Sequence, residues 1–215
     1  MKSQRGFTLV ELAVVLGVIG VLSAIATPNL LTMRDNFRVK GATTDISSML
    51  RLGRSAAMQE NKPFALLVRT GSTTIATDDR AVLVRCPTGT TLVTAALTGI
   101  TTAMLDGTAA MPVGFTIVRK AELGAASVGI QPGSAGILPI TQRPYNNISR
   151  TAGCSFCASG NGTVFFTSDG TVSMTGTPNS GSITVSHFKG WPTPMATQMY
   201  TITLFPITGE VRVWH

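Results

Sequence analysis

The chain has 215 residues, a length for one domain plus a leader and an anchor. Apolar residues make up 44% and charged residues only 13%, so the polar character beyond the N-terminal run comes from Thr, Ser and Gly. That balance argues against a disordered chain and for an exported, β-rich one. Formal net charge is +7; without Lys2 and Arg5, fifteen basic side chains face ten acidic ones, a balance of +5. Two readings of that balance stand side by side: a mildly basic, soluble surface, and attraction to nucleic acid or anionic lipid.

Lys2 and Arg5 precede an apolar run from Phe7 to about Ala26. About 20 such residues are what a bilayer core demands of a helix. The basic leader keeps its end cytoplasmic and sends the rest across. An ordinary signal peptide, cut near Ser23-Ala24-Ile25-Ala26, or a plain single-pass anchor would share these features. Neither accounts for Glu11, the one charge inside the run. A carboxylate near the bilayer centre costs about 2.5–3.5 kcal/mol and needs a partner. A cut between Gly6 and Phe7 would supply one, because the new α-amine of Phe7 would lie one helical turn away.

Gly6-Phe7-Thr8-Leu9-Val10-Glu11 resembles the prepilin peptidase motif of type IV pilins and type II secretion pseudopilins. The resemblance implies cleavage after Gly6, N-methylation of Phe7, and a Glu11 that meets the N-terminus of an adjacent subunit during assembly. These residues would be the peptidase's substrate and not a catalytic site.

Pro28 would end a membrane helix or bend one that continues. The pattern favours continuation: Leu30, Met33, Phe37, Ile46, Met49, Leu50, Gly53 and Ala57 recur at spacings near 3 and 4, with charged residues between them. This predicts an amphipathic helix whose apolar face needs a sheet. Asn61-Lys62-Pro63 ends it.

Beyond Pro63 the period becomes strand-like. Strands are predicted at 64–69, 81–85, 113–118, 163–167, 171–174, 182–188, 199–205 and 210–214. Asp169-Gly170 between β-formers predicts a hairpin, since Gly accepts the positive φ of such turns. The last two strands should pair across Pro206-Ile207-Thr208-Gly209. From about 86 to 161, Thr, Gly, Ala and Pro predominate, predicting long loops with two or three short strands.

The fold class expected is α+β and type IV pilin-like: a long N-terminal helix packed on an antiparallel sheet. Its expected divisions are a cytoplasmic leader 1–6, a transmembrane or filament-core helix 7–28, an amphipathic continuation 29–61 and a β-rich periplasmic domain 62–215. The layout resembles the GspH/FimT family of minor pilins and pseudopilins. The likeness rests on the Asp-Gly hairpin, the paired C-terminal strands, and the helical segment from Met49 to Ala57 ahead of Asn61-Lys62-Pro63.

Three cysteines, Cys86, Cys154 and Cys157, cannot all pair within one chain. One bridge suits an oxidising periplasm, either local to Cys154-Ser155-Phe156-Cys157 or linked to Cys86. Redox catalysis would want that Cys-x-x-Cys at a helix N-terminus, and no helical pattern follows it. Neither a zinc pattern nor a hydrolase or phosphate-loop motif is present, so no cofactor, metal or enzymatic activity is expected. Asp78-Asp79 reads as a solvated turn rather than a calcium site.

The resemblance also reaches FimT-type minor pilins that resemble DNA receptors for uptake and carry a Gly-Arg-x-Arg motif near the C-terminus. The matching place here is Gly209-Glu210-Val211-Arg212, where Glu210 replaces the first Arg. A carboxylate there repels phosphate. Trp214 could stack on a base, with Lys189 nearby, or it could cover the sheet. The expectation is therefore a structural minor pilin or pseudopilin of the bacterial inner membrane that enters a pilus or pseudopilus, as a priming or tip subunit. Its implied partners are other pilins, the prepilin peptidase and the assembly platform. A DNA-binding minor pilin and an unrelated anchored binding protein are the alternatives.

Overall fold

The computed structural model describes residues 8–70, 79–92, 97, 99–123, 128–130, 154–157, 161–175, 181–190, 193–205 and 208–214. It divides into two compact units, Met1–Phe37 and Arg38–His215. Helix α1, Leu9–Glu60, belongs to both. In the first unit its apolar side chains, from Leu9 through Ile25 and on to Leu30, Met33 and Phe37, are exposed. That stretch is long and apolar enough to cross a membrane.

In the second unit α1 buries Val39, Ile46, Met49, Leu50 and Ala57. Burial thus begins at Val39, and Leu30, Met33 and Phe37 of the expected face take no part in the core. Helix α1 stops at Glu60; Asn61 follows with φ 52°, and Lys62 N donates to Ala57 O at 3.3 Å. Pro63 then starts the sheet.

The sequence suggested one sheet, and the chain forms two. In the first, β1 (Phe64–Arg69) lies between β2 (Arg80–Arg85) and β5 (Asn161–Phe166); β3 (Thr116–Glu122) and β6 (Val172–Met174) form its edges. In the second, the order is β4 (Val128–Ile130), β7 (Gly181–Gly190), β8 (Thr193–Phe205) and β9 (Glu210–Trp214). All pairings are antiparallel. A short helix α2, Thr102–Asp106, is capped by Thr101.

The strand expected at 113–118 sits later. Val113 is 99% exposed in a turn closed by Phe115 N donating to Pro112 O, and β3 begins at Thr116. Local apolar content misplaced it; the tight Pro112–Phe115 turn comes first. The Asp-Gly hairpin joins β5 to β6, with Gly170 at φ 84°. The β8–β9 hairpin pairs Thr201 with Trp214 through Phe205 with Glu210.

β1 is buried on both faces, which its unbroken apolar run permits. Phe64, Leu66 and Val68 join α1, β2, β5 and the second sheet in one core. Ala65 and Leu67, with Val82, Val84 and Phe165, meet Cys86, Leu97, Ile100, Leu105 and Phe115 in another. Described residues between Cys86 and Phe115 therefore cover the outer face of the first sheet.

Candidate functional site

The apolar half of α1 opens with a capping box. Glu11 N donates to Thr8 Oγ1 at 3.3 Å, while Thr8 N and Oγ1 each lie 3.4 Å from Glu11 Oε2. Thr8-Leu9-Val10-Glu11 is the S/T-x-x-E spacing of that motif, which sequence analysis missed because the same residues carried an assembly reading. Glu11 is the sole charged residue from Leu9 to Met33. Gly6 and Phe7 lie outside the described residues. α1 runs unbroken past Pro28. Thr27 Oγ1 donates to Ser23 O at 2.6 Å one turn before it, and Pro28 itself has no N–H to give.

At the other end of the chain, α1 holds both hairpin turns. Arg54 Nε donates to Gly170 O at 3.1 Å and Nη1 to Thr208 O at 2.5 Å. Arg51 Nη2 donates to Val211 O at 3.4 Å. Arg119–Asp45 (2.9 Å) and Arg85–Glu60 (3.3 Å) tie the helix to β3 and β2.

Glu210, Arg212 and Trp214 share one face of β9, because side chains alternate along a strand. Arg212 Nε donates to Glu210 Oε1 at 2.6 Å, and its guanidinium stands 5.8 Å from the centre of the Phe205 ring. Trp214 Nε1 donates to Thr203 Oγ1 at 3.2 Å. Arg212 and Trp214 are thus brought together and already engaged. Lys189 lies on β7, and its side chain is outside the described residues.

Cys154 and Cys157 form a disulfide, and Cys86 is a buried thiol pushed up to about 12 by desolvation. The disulfide loop joins the two sheets. Cys154 bridges to Ile183 of β7, Ser155 exchanges hydrogen bonds with Ser182, and Thr175, just after β6, donates to Phe156 O at 2.8 Å. No cluster of three or more metal-ligand side chains occurs among the described residues.

Asp79 corrects the expectation of a solvated acidic turn; Asp78 lies outside the described residues. Asp79 is 1% exposed, and its Oδ2 accepts from Ile130 N of β4 at 2.6 Å. Its carbonyl accepts from Leu123 N at 3.0 Å. This carboxylate therefore joins β2 of the first sheet to β4 of the second. A buried carboxylate needs such donors, and no local pattern announces them.

Residues 1–27 match the family model described as "Prokaryotic N-terminal methylation motif". A "Fimbrial protein" of Pseudomonas aeruginosa is 37% identical over 59 residues, which are 27% of this chain and 38% of that one. "Prepilin peptidase-dependent protein D" of Escherichia coli K12 is 50% identical over 46 residues, 21% of this chain and 29% of that one. The chain thus spans well under half the length of these relatives. The solved type IV minor pilin FimU of P. aeruginosa aligns over 86% of this chain and 92% of its own, at 11% identity and a TM-score of 0.43. By its first 27 residues, the chain carries the methylation motif of the type IV prepilin-like proteins.

Proposed function

We propose that the chain is a structural minor pilin or pseudopilin of GspH/FimT type. Prepilin peptidase cuts it after Gly6, and the new N-terminus at Phe7 is methylated. The apolar half of α1 holds it in the inner membrane, with the β-rich domain in the periplasm. It then enters a type IV pilus or a type II secretion pseudopilus as a priming or tip subunit.

The observation that carries this reading is Glu11, the sole charge in a stretch whose apolar side chains are exposed. A carboxylate kept at that place is costly unless a cationic partner arrives on assembly. The α-amine freed at Phe7 of a neighbouring subunit is such a partner. Glu210 on Arg212 weighs against nucleic-acid binding, since it occupies the cation a phosphate would need.

Two measurements test the proposal. Mass spectrometry of protein made with and without an active prepilin peptidase should show loss of residues 1–6 and one added methyl only with it. Glu11→Gln should leave membrane insertion intact and reduce recovery in sheared filaments. An N-terminus at Met1 in the presence of active peptidase would overturn the proposal, as would full incorporation of Glu11→Gln.

A further inference from the structure

Leu30, Met33 and Phe37 were expected to face the sheet, yet they are 64%, 54% and 59% exposed. At 3.6 residues per turn they fall within about 60° of one another on α1. Asp35 and Val39, the latter buried in the domain core, lie on the opposite side of the helix. Basic side chains flank the apolar strip. By the same spacing Lys40 stands on one side of it, and Arg34 and Arg38 on the other; all three are exposed.

Their place along α1 is as informative as their angle. Apart from Glu11, no charge occurs from Leu9 to Met33. Those ~25 residues reach about 37 Å, enough to cross a core of about 30 Å with some tilt. Arg34, Arg38 and Lys40 follow within the next ~9 Å, a depth that long basic side chains cover by snorkelling to the interface. Asp35 is the one acidic residue among them, 3.8 Å from Arg34 in an exposed pair, and such pairs bind weakly. The next acidic residue, Asp45, is held by Arg119. The flanks therefore carry excess positive charge beside an uncovered apolar strip.

We propose that this strip docks on anionic phospholipid headgroups at the membrane face where α1 emerges. Arg34, Arg38 and Lys40 bind the lipid phosphates, while Leu30, Met33 and Phe37 rest at the boundary of headgroups and acyl chains. The inference rests on the membrane-anchored reading above and adds a lipid class to it. Two observations select lipid as the cover: the strip continues the apolar stretch that is long enough to span a membrane, and its flanks complement a negative surface. A guanidinium fork fits phosphate oxygens in particular. With the leader removed after Gly6, these three are the first basic side chains of the chain.

Full-length protein is reconstituted in phosphatidylcholine bilayers containing spin-labelled phosphatidylglycerol or phosphatidylcholine. Electron paramagnetic resonance of the motionally restricted fraction gives their relative association. Lys2→Gln and Arg5→Gln are present in every sample, so the leader side chains add no charge. Phosphatidylglycerol should be preferred at least about threefold at low salt, and the preference should fall toward one at ~0.5 M NaCl. Arg34→Gln, Arg38→Gln and Lys40→Gln together should abolish it; Arg34→Lys with Arg38→Lys should retain most of it. A nitroxide on Phe37→Cys should meet oxygen more readily than a water-soluble nickel chelate; the native cysteines are bridged or buried. The proposal is overturned if phosphatidylglycerol is not preferred, if the triple variant keeps the preference, or if the Phe37→Cys label is open to the chelate. A label shielded from both quenchers would assign the strip to a neighbouring subunit and overturn it too. Release of the protein by alkaline carbonate would overturn the anchored reading as well, whereas retention without a lipid preference overturns this inference alone.

Discussion

Gly53 packs α1 directly on Phe166 and Leu83 of the first sheet, and its replacement by Ala sets two effects of known size against each other. A Cβ there would lie 2.7 and 2.9 Å from ring carbons of Phe166 and 2.9 Å from Leu83 Cδ1. Both side chains are fully buried and cannot step aside into solvent. Ala in place of Gly within a helix is worth about 1 kcal/mol. Forcing a methyl into a filled core costs about 1–3 kcal/mol. The net for Gly53→Ala is a loss of up to ~2 kcal/mol. Gly41, on the same helix, has nothing within 4 Å of its Cβ position, so Gly41→Ala keeps the helical gain of about 1 kcal/mol. With a urea slope near ~2 kcal/mol/M, the two midpoints should move in opposite directions, Gly53→Ala by up to ~1 M downward and Gly41→Ala by ~0.5 M upward. Tryptophan fluorescence is the readout, because both tryptophans, Trp191 and Trp214, lie beyond α1 in the sequence and Trp214 is on β9. An upward shift for Gly53→Ala equal to that for Gly41→Ala would refute the close helix–sheet approach.

Replacing Cys154 and Cys157 together by Ser should cost about 2 kcal/mol on loop entropy alone, read as a lower urea midpoint, since the closed loop is short. An unchanged midpoint would mean that the hydrogen bonds of Ser155 and Thr175 suffice to join the sheets. Cys86 should resist iodoacetamide at about pH 8 in the folded protein and react once it is unfolded in urea, because the thiolate is the nucleophile. Asp169 is held down to about 2 by hydrogen bonds from Thr167 and then Thr171. Its contribution to stability is therefore complete above its ordinary value of 3.8 and is lost as pH falls through about 2. NMR titration of its carboxyl carbon gives the midpoint directly; a value near 3.8 would remove the turn network.

Much of the architecture is legible in local pattern. The helix from the apolar run to Glu60 follows from 3.6-residue periodicity and the Asn61-Lys62-Pro63 stop. β1 and β9 stand where their apolar or alternating runs lie, and Asp169-Gly170 marks its hairpin because few residues accept that φ. The three-residue error at β3 arose because Val113 has strand-like neighbours yet lies in a turn that only its contacts reveal.

The sequence by itself determined the N-terminal signal, the apolar stretch that isolates Glu11, and most of the strands. These depend on the order of residues along the chain, which is where hydrophobic period and turn chemistry reside. Tertiary structure alone decided that the strands divide into two sheets and that Cys154 pairs with Cys157 while Cys86 stays buried. It also decided that Asp79 is interior and that Arg69 donates to Ile100 O. Each of these depends on burial and on donors or acceptors brought from tens of residues away, such as Ile130 for Asp79 and Ile100 for Arg69. Desolvation is a property of the packed site and not of the residue, so no reading of neighbours in the chain reaches it.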